Sequence, residues 1–170
     1  MYTKGGNPEV LKGFSYSDLA ADLVGRKSTA VMAFYLNGSL ITWCSQKQKT
    51  VALSSCEAEF MAATMAAMQA LWLRSLLSEL TARKPGVVTL HVDNTSAIAL
   101  MKNPVFHGRS KHIDTKYHFI RECVEKGEIV VEFVRSEDQR ADALTKALPV
   151  VKLATMRHLM GVRDFEPHQD

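Results

Sequence analysis

Residues 51–80 read VALSSCEAEFMAATMAAMQALWLRSLLSEL, and the fold turns on how that stretch is parsed. Ser54 followed three positions later by Glu57 is a capping box. Hydroxyl and carboxylate each take a backbone N–H that a helix start otherwise leaves without a partner. Behind the box runs an almost unbroken apolar sequence of helical length. At about 100° per residue, Glu59 lines up with Ala63, Ala66, Ala70, Leu73 and Leu77, at the head of a stripe suited to burial. Glu57 falls on the opposite side with Thr64, Met68 and Ser75. A carboxylate at the end of an alanine-rich buried face is unfavourable unless a metal ion, a cation or hydrogen bonds compensate it. The alternative is a frayed first turn that lets Glu59 reach water.

Such a helix needs a sheet to lie on, and the flanking sequence supplies one. Residues 13–18 (GFSYSD) form a short strand ending on an acid, and residues 19–29 form a loop that is basic at Arg26 and Lys27. AVMAFYL and LITWCSQ flank Asn37-Gly38, a strong hairpin signal. Residues 87–93 (VVTLHVD) are β-branched and follow Pro85-Gly86, which marks a buried strand that again ends on an acid. NTSAIALM makes a short helix stopped at Asn103-Pro104. A polar, basic loop of residues 105–114 leads to a helix over residues 115–127, closed by Gly127. EIVVEFV is the last strand, and residues 136–148 and 150–162 are two C-terminal helices. Strands joined through helices predict an α/β domain whose mixed sheet has a parallel part, with helices on its faces. On such sheets ligands bind beyond the strand carboxyl ends, where the winding reverses.

With 170 residues, 46% of them hydrophobic, the chain is long enough for one domain with a substantial core. Residues 1–12 form a lead-in, 13–163 the domain and 164–170 a tail. A net charge of +3 permits a polyanionic partner without demanding one. Three cysteines at unpaired spacing, each within apolar sequence, indicate reduced thiols and an intracellular setting. No signal-peptide pattern is present and no apolar run reaches membrane-spanning length without polar breaks, so no membrane partner is expected. Trp43 and Trp72 read as core.

Four acids hold positions that a solvated face would not select. Asp18 and Asp93 end strands, Glu59 heads the core helix, and Asp142 opens the helix after the last strand. Clustered carboxylates repel unless cations hold them. Oxygen-only ligation without a cysteine cluster favours Mg²⁺ or Mn²⁺ over zinc, and two-metal phosphodiester cleavage is the chemistry that uses such a site. Taken singly, each acid has an ordinary alternative. Asp18 suits a turn, Asp93 with Asn94 suits a helix cap, and Asp142 suits a helix dipole.

At this point the motifs YSD, RKST, ITWCSQKQ, VALSSCEAEFMAA, LWLRSLLSEL, VDNTSAIAL, NPVFHGRSKHIDTKYHFIRECVEKG and QRADALTKAL carry a resemblance. Together they resemble the ribonuclease H domain of copia-type LTR retrotransposon polyproteins, from Tyr2 through MRHLMGV. The resemblance implies the ribonuclease H-like fold, a five-stranded mixed sheet with three antiparallel strands followed by parallel ones. It also implies cleavage of the RNA strand of RNA–DNA hybrids by a two-metal-ion mechanism, with two Mg²⁺ ions and Mn²⁺ as a substitute. The partner domain it implies is the reverse transcriptase of the parent polyprotein. The family's metal-binding catalytic acids fall on Asp18, Glu59, Asp93 and Asp142. The implied setting is the cytoplasm, in a virus-like particle for an active element, or the nucleus for a host-adopted copy.

Three features depart from the family pattern. The loop after YSD is about two residues short and lacks its aromatic. Ala30 and Val31 follow RKST where the family has serine and glycine, and Phe133 stands where the family often has histidine. These departures leave open a weakened domain that binds hybrids without cutting efficiently.

The substrate surface is read from charge. Residues 102–121 hold five cations, Lys102, Arg109, Lys111, Lys116 and Arg121, against Asp114 alone, a local charge above that of the whole chain. Such a span suits phosphate contacts that position a duplex without reading its sequence. The expected substrate-binding set is Arg26, Lys27, Asn94, Arg109, Lys111, His112 and Lys116. The alternative is a solvated helix face.

Overall fold

The computed structural model describes residues 10–22, 24–84, 86–102 and 111–162, with side chains described throughout that set except over 111–117. The elements are β1 (Leu11–Ser17), β2 (Thr29–Leu36), β3 (Ser39–Lys47), α1 (Ser55–Thr81), β4 (Val88–Val92), α2 (Thr95–Lys102), α3 (Lys111–Glu125) and β5 (Ile129–Phe133). A 3-10 turn (Arg140–Leu144) and α4 (Val150–Met160) complete the chain.

The five strands form one sheet in the order β3-β2-β1-β4-β5. β1–β2 and β2–β3 pair antiparallel, and β1–β4 and β4–β5 pair parallel, the mixed arrangement that the resemblance implied. The β2–β3 turn uses Asn37 and Gly38 at φ 50° and 85°, the doubly left-handed geometry whose twist suits a two-residue hairpin.

The alanine stripe sets how closely α1 approaches the sheet. Ala63, Ala66 and Ala70 are buried with Leu73 against Leu11, Phe34, Leu90 and Val92. On the other face Phe14, Val31, Ala33 and Tyr35 surround Ala141 of the 3-10 turn. The Arg140 guanidinium lies 4.6 Å from the Tyr35 ring centroid and 5.1 Å from that of Phe14, which holds the turn to this face by cation–π attraction.

Several sequence expectations need correction. β1 begins at Leu11, inside the supposed lead-in, because Leu11 is a buried core residue. Ser54 caps α1 by accepting from the Glu57 N–H at 3.1 Å, but Glu57 Oε2 reaches back to the N–H of Leu53, one residue before the cap, at 2.9 Å. Thr64 is buried although it shares the Glu57 side of the helix, and its hydroxyl is satisfied by the Phe60 carbonyl at 2.9 Å. α1 is long and apolar enough to cross a membrane by length and composition alone, although polar residues such as Gln69 and Arg74 interrupt it. In this fold half of that apolar window is buried, with the stripe taken up by the sheet.

Trp43 and Trp72 are not core. They are 61% and 57% exposed, Trp43 on the edge strand β3 and Trp72 on the outer side of α1 beside exposed Met68. The first of the two expected C-terminal helices is only the 3-10 turn, with bonds from Asp142 N–H to the Gln139 carbonyl and from Thr145 N–H to the Asp142 carbonyl. α3 starts at Lys111, earlier than expected. Gly127 at φ 65° ends it as expected, with Glu128 N–H on the Cys123 carbonyl and Gly127 N–H on that of Val124.

Gly13 is where β1, β2 and β4 meet most closely, since it pairs with both Phe34 and Leu90. A Cβ there would sit 2.6 Å from Phe34 Cε1, and Phe34 is wholly buried and without room to move. Gly13→Ala is expected to destabilise the domain by about 1–3 kcal/mol through overpacking. Urea unfolding checks this, with a lowered midpoint at an unchanged slope as the expected outcome.

Candidate active site

Because β1 and β4 are parallel neighbours, the residues that follow them, Asp18 and Asp93, emerge at one end of the sheet. α1 begins at that same end and delivers Glu59. The frayed first turn is excluded: Glu59 is 3% exposed, and its Oε1 accepts the backbone N–H of Ser17, the last residue of β1, at 2.7 Å. Asp18 Oδ1 accepts from Thr29 N–H at the start of β2. Asp93 Oδ2 accepts from the Ser136 hydroxyl at 3.2 Å, just past β5. Asp142 is buried in the 3-10 turn, with Thr145 Oγ1 3.4 Å from Oδ1 and the Lys152 ammonium of α4 paired to Oδ2.

Electrostatic coupling shows that the acids share one neighbourhood. Burial pushes the Glu59 carboxyl up to about 8, opposed by the Ser17 N–H and reinforced by the Asp93 charge. Burial also raises Asp93, which Ser136 opposes and Asp142 reinforces. The Tyr16 phenol is pushed up to about 12, first by burial and then by the charges of Asp142, Asp93, Glu59 and Asp18. One side chain on β1 therefore feels all four carboxylates.

Coupling reaches farther than coordination, and among the described residues no three His, Cys, Asp or Glu side chains converge as a ready metal site. The donor set nevertheless fits a hard divalent cation. It is all oxygen, and Glu59 Oε2 is buried with no hydrogen-bond partner among the described residues, which leaves a lone pair for a ligand.

The expected substrate residues separate. Arg26 is exposed at φ 51° and Lys27 half-buried, in a loop that Asp22 staples through its backbone and a 2.8 Å ion pair to Lys47. Both ends of that loop meet at the site, where Asp18 N–H bonds the Thr29 carbonyl at 3.3 Å. Asn94 caps α2, its Oδ1 accepting from Ala97 N–H at 2.9 Å, so the ordinary role weighed for this position is the one observed. Arg109 and the loop around it lie outside the described residues. Lys111, His112 and Lys116 sit on the α3 backbone, but their side chains are also outside that set. Phe133 ends β5 with its ring half exposed.

Sequence reasoning missed Gln48, Gln139 and Lys152. Both glutamines stand in polar runs, QKQK and SEDQR, that resemble solvated surface, yet both are buried. Lys152 left a usable signal as a lone cation within the apolar VVKLA.

No protein-family model matches the chain. It is 40% identical over 158 residues to the retrovirus-related Pol polyprotein from transposon TNT 1-94 of Nicotiana tabacum, a match covering 93% of this chain. It is 38% identical over 167 residues to that from transposon RE2 of Arabidopsis thaliana, covering 98% of this chain. The chain spans 12% of the length of each polyprotein. Among solved structures it is similar to LC11-RNase H1 in complex with RNA/DNA hybrid, with a TM-score of 0.58 and 13% identity, over 79% of this chain and 92% of that one. That likeness shows the fold, and the polyproteins show the kinship. The chain is a ribonuclease H-fold domain belonging to the retrovirus-related Pol family of copia-type transposons.

Proposed function

We propose that this domain is an endoribonuclease that cleaves the RNA strand of RNA–DNA hybrids during reverse transcription, alongside the reverse transcriptase of its parent polyprotein. The observation that carries the reading is the buried Glu59 carboxylate, with one oxygen on Ser17 N–H and the other without a partner among the described residues, at the sheet end where Asp18 and Asp93 emerge. Asp18, Glu59, Asp93 and Asp142 would hold two Mg²⁺ ions, with Mn²⁺ as a substitute. Bound there, divalent ions supply Lewis acidity at the attacking water and at the leaving oxygen of the phosphodiester. The chain's own residues do the orienting. Ser17 fixes one Glu59 oxygen, Thr29 one Asp18 oxygen and Ser136 one Asp93 oxygen. On this reading the domain works in the cytoplasm, within a virus-like particle.

A second reading, a hybrid-binding domain that cuts poorly, draws support from the Lys152 ammonium on Asp142, which occupies a carboxylate the metal would need. A Mg²⁺ cleavage assay on labelled hybrid, RNA duplex and DNA duplex separates the two. Cleavage confined to the hybrid RNA strand is expected, whereas binding without cleavage would favour the second reading.

Glu59→Gln is expected to abolish cleavage in that assay, while Glu57→Gln keeps it because a glutamine still serves the helix start. Activity lost in Glu57→Gln and kept in Glu59→Gln would reverse the assignment.

Glu59 also sets a pH dependence. Its folded value of about 8 lies above the ordinary 4.5, so between those values the folded state binds more protons than the unfolded one. That contribution to metal-free stability is full below pH 4.5 and is lost as pH rises toward 8. With EDTA present, the stability gain of Glu59→Gln over wild type is expected to grow from pH 5 to pH 8. A gain that shrinks over this range, measured by urea unfolding, would contradict the assignment.

For the basic span, Lys111→Ala with Lys116→Ala is expected to weaken hybrid binding and flatten its log–log salt slope by about one per lysine. Fluorescence polarisation across a salt series reads this, and an unchanged slope would return the span to solvated surface.

A further inference from the structure

Two buried glutamines clamp the acid-bearing elements to β1. Gln48 follows β3, is 3% exposed, and donates through Nε2 to the Ser17 hydroxyl at 3.2 Å and to the Ala58 carbonyl at 2.9 Å. Those acceptors are the residue before Asp18 and the residue before Glu59. One amide thus sets the spacing between the end of β1 and the first turns of α1. Gln139 is 0% exposed and does the equivalent at the other acid. Its Nε2 donates to the Ser15 carbonyl at 2.9 Å and its Oε1 lies 3.3 Å from Ala141 N–H, the residue before Asp142.

The arrangement is more specific than packing requires. Burying an amide is unfavourable unless its groups are bonded, yet Gln48 Oε1 has no partner among the described residues, so this side chain is held for what its nitrogen donates. A methionine or leucine would fill either space without that demand. Both clamps also reach β1 within three residues, at Ser15 and Ser17, and both act on the residue just before a carboxylate.

We propose that Gln48 and Gln139 are positioning residues for the divalent-cation site, holding Glu59 and Asp142 at the separation from Asp18 that cation binding requires. This rests on the function proposed above. The side-chain bonds of both glutamines run to backbone groups and the Ser17 hydroxyl rather than to the carboxylates themselves. Each acts through backbone and hydroxyl groups beside the acids, as outer-shell partners of metal ligands do.

The test compares the 170-residue chain with Gln48→Met and Gln139→Met, which keep side-chain volume and remove the amide. Mn²⁺ binding by calorimetry, thermal melting and hybrid cleavage are measured for each. Expected is a Mn²⁺ affinity lower by about ten- to a hundredfold, with kcat reduced at little change in KM and restored by raising Mn²⁺. Where Gln48→Met fails to fold, Ser17→Ala removes the hydroxyl end of the same clamp, leaves the N–H that bonds Glu59, and is expected to weaken Mn²⁺ binding in the same sense. Folded variants with a lower melting temperature but wild-type Mn²⁺ affinity would overturn the proposal, since a purely structural role moves only the first. A wild type that binds Mn²⁺ but spares the hybrid, with variants that bind it more weakly, would support the clamps while sinking the nuclease reading. A wild type that binds no Mn²⁺ would sink both.

Discussion

The N–H of Ser17 meets the buried carboxylate of Glu59 at 2.7 Å, and much of the domain is arranged around that bond. It joins the last residue of the central strand to the start of the central helix, across 42 positions of sequence. For the bond to form, α1 must lie close on the sheet, and the alanines along its stripe permit that approach. β1 must also be held on both sides, antiparallel by β2 and parallel by β4. The antiparallel side brings Thr29 to Asp18, and the parallel side brings Asp93 to the same end. Register is therefore a condition of the site. A slip of one residue would carry every β1 side chain to the opposite face and turn Asp18 away.

The same bond marks the price of that geometry. One N–H cannot compensate a carboxylate withdrawn from water, and Glu59 remains shifted far upward with the Asp93 charge adding to the shift. The protein answers with local cover. Ser136 moderates Asp93, and Lys152 neutralises Asp142 from the last helix. Tyr16 meanwhile stays a neutral phenol, held so first by burial and then by the neighbouring carboxylates. On the proposed function, buried carboxyl groups left under-compensated in the metal-free fold suit ion binding better than structural packing, in which charge is usually removed.

What the sequence disclosed follows from local chemistry. The Ser54 cap, the Asn-Gly hairpin, the closing Gly127 and the Glu59 stripe each depend on residues within a few positions of one another, and all appear in the fold. The errors share a different cause. Trp43 and Trp72 carry apolar surface that local pattern assigns to the interior, but one is on an edge strand and the other on the outer side of a helix. Gln48 and Gln139 look like solvent residues because their neighbours are charged. What buries them are contacts 31 and 124 positions away, which no window of sequence contains. The 3-10 turn fails as a helix prediction for the same reason, since its apolar residues are used against the sheet and its cap is tied to β1.

The last helix shows how a weakly packed element can still be oriented. α4 leaves Val150, Val151 and Leu153 exposed and buries only Met156. Apolar burial of that extent gives the helix little directional hold. Lys152 supplies direction, because its ammonium pairs with a carboxylate that is itself fixed within the buried 3-10 turn. An ion pair with one buried partner is screened less than a surface pair. The attitude of α4 is then tied to the Asp142 carboxylate. On the function proposed above, a divalent cation held by Asp142 would compete with Lys152 for that carboxylate, so ion binding would loosen the hold on the C-terminal helix.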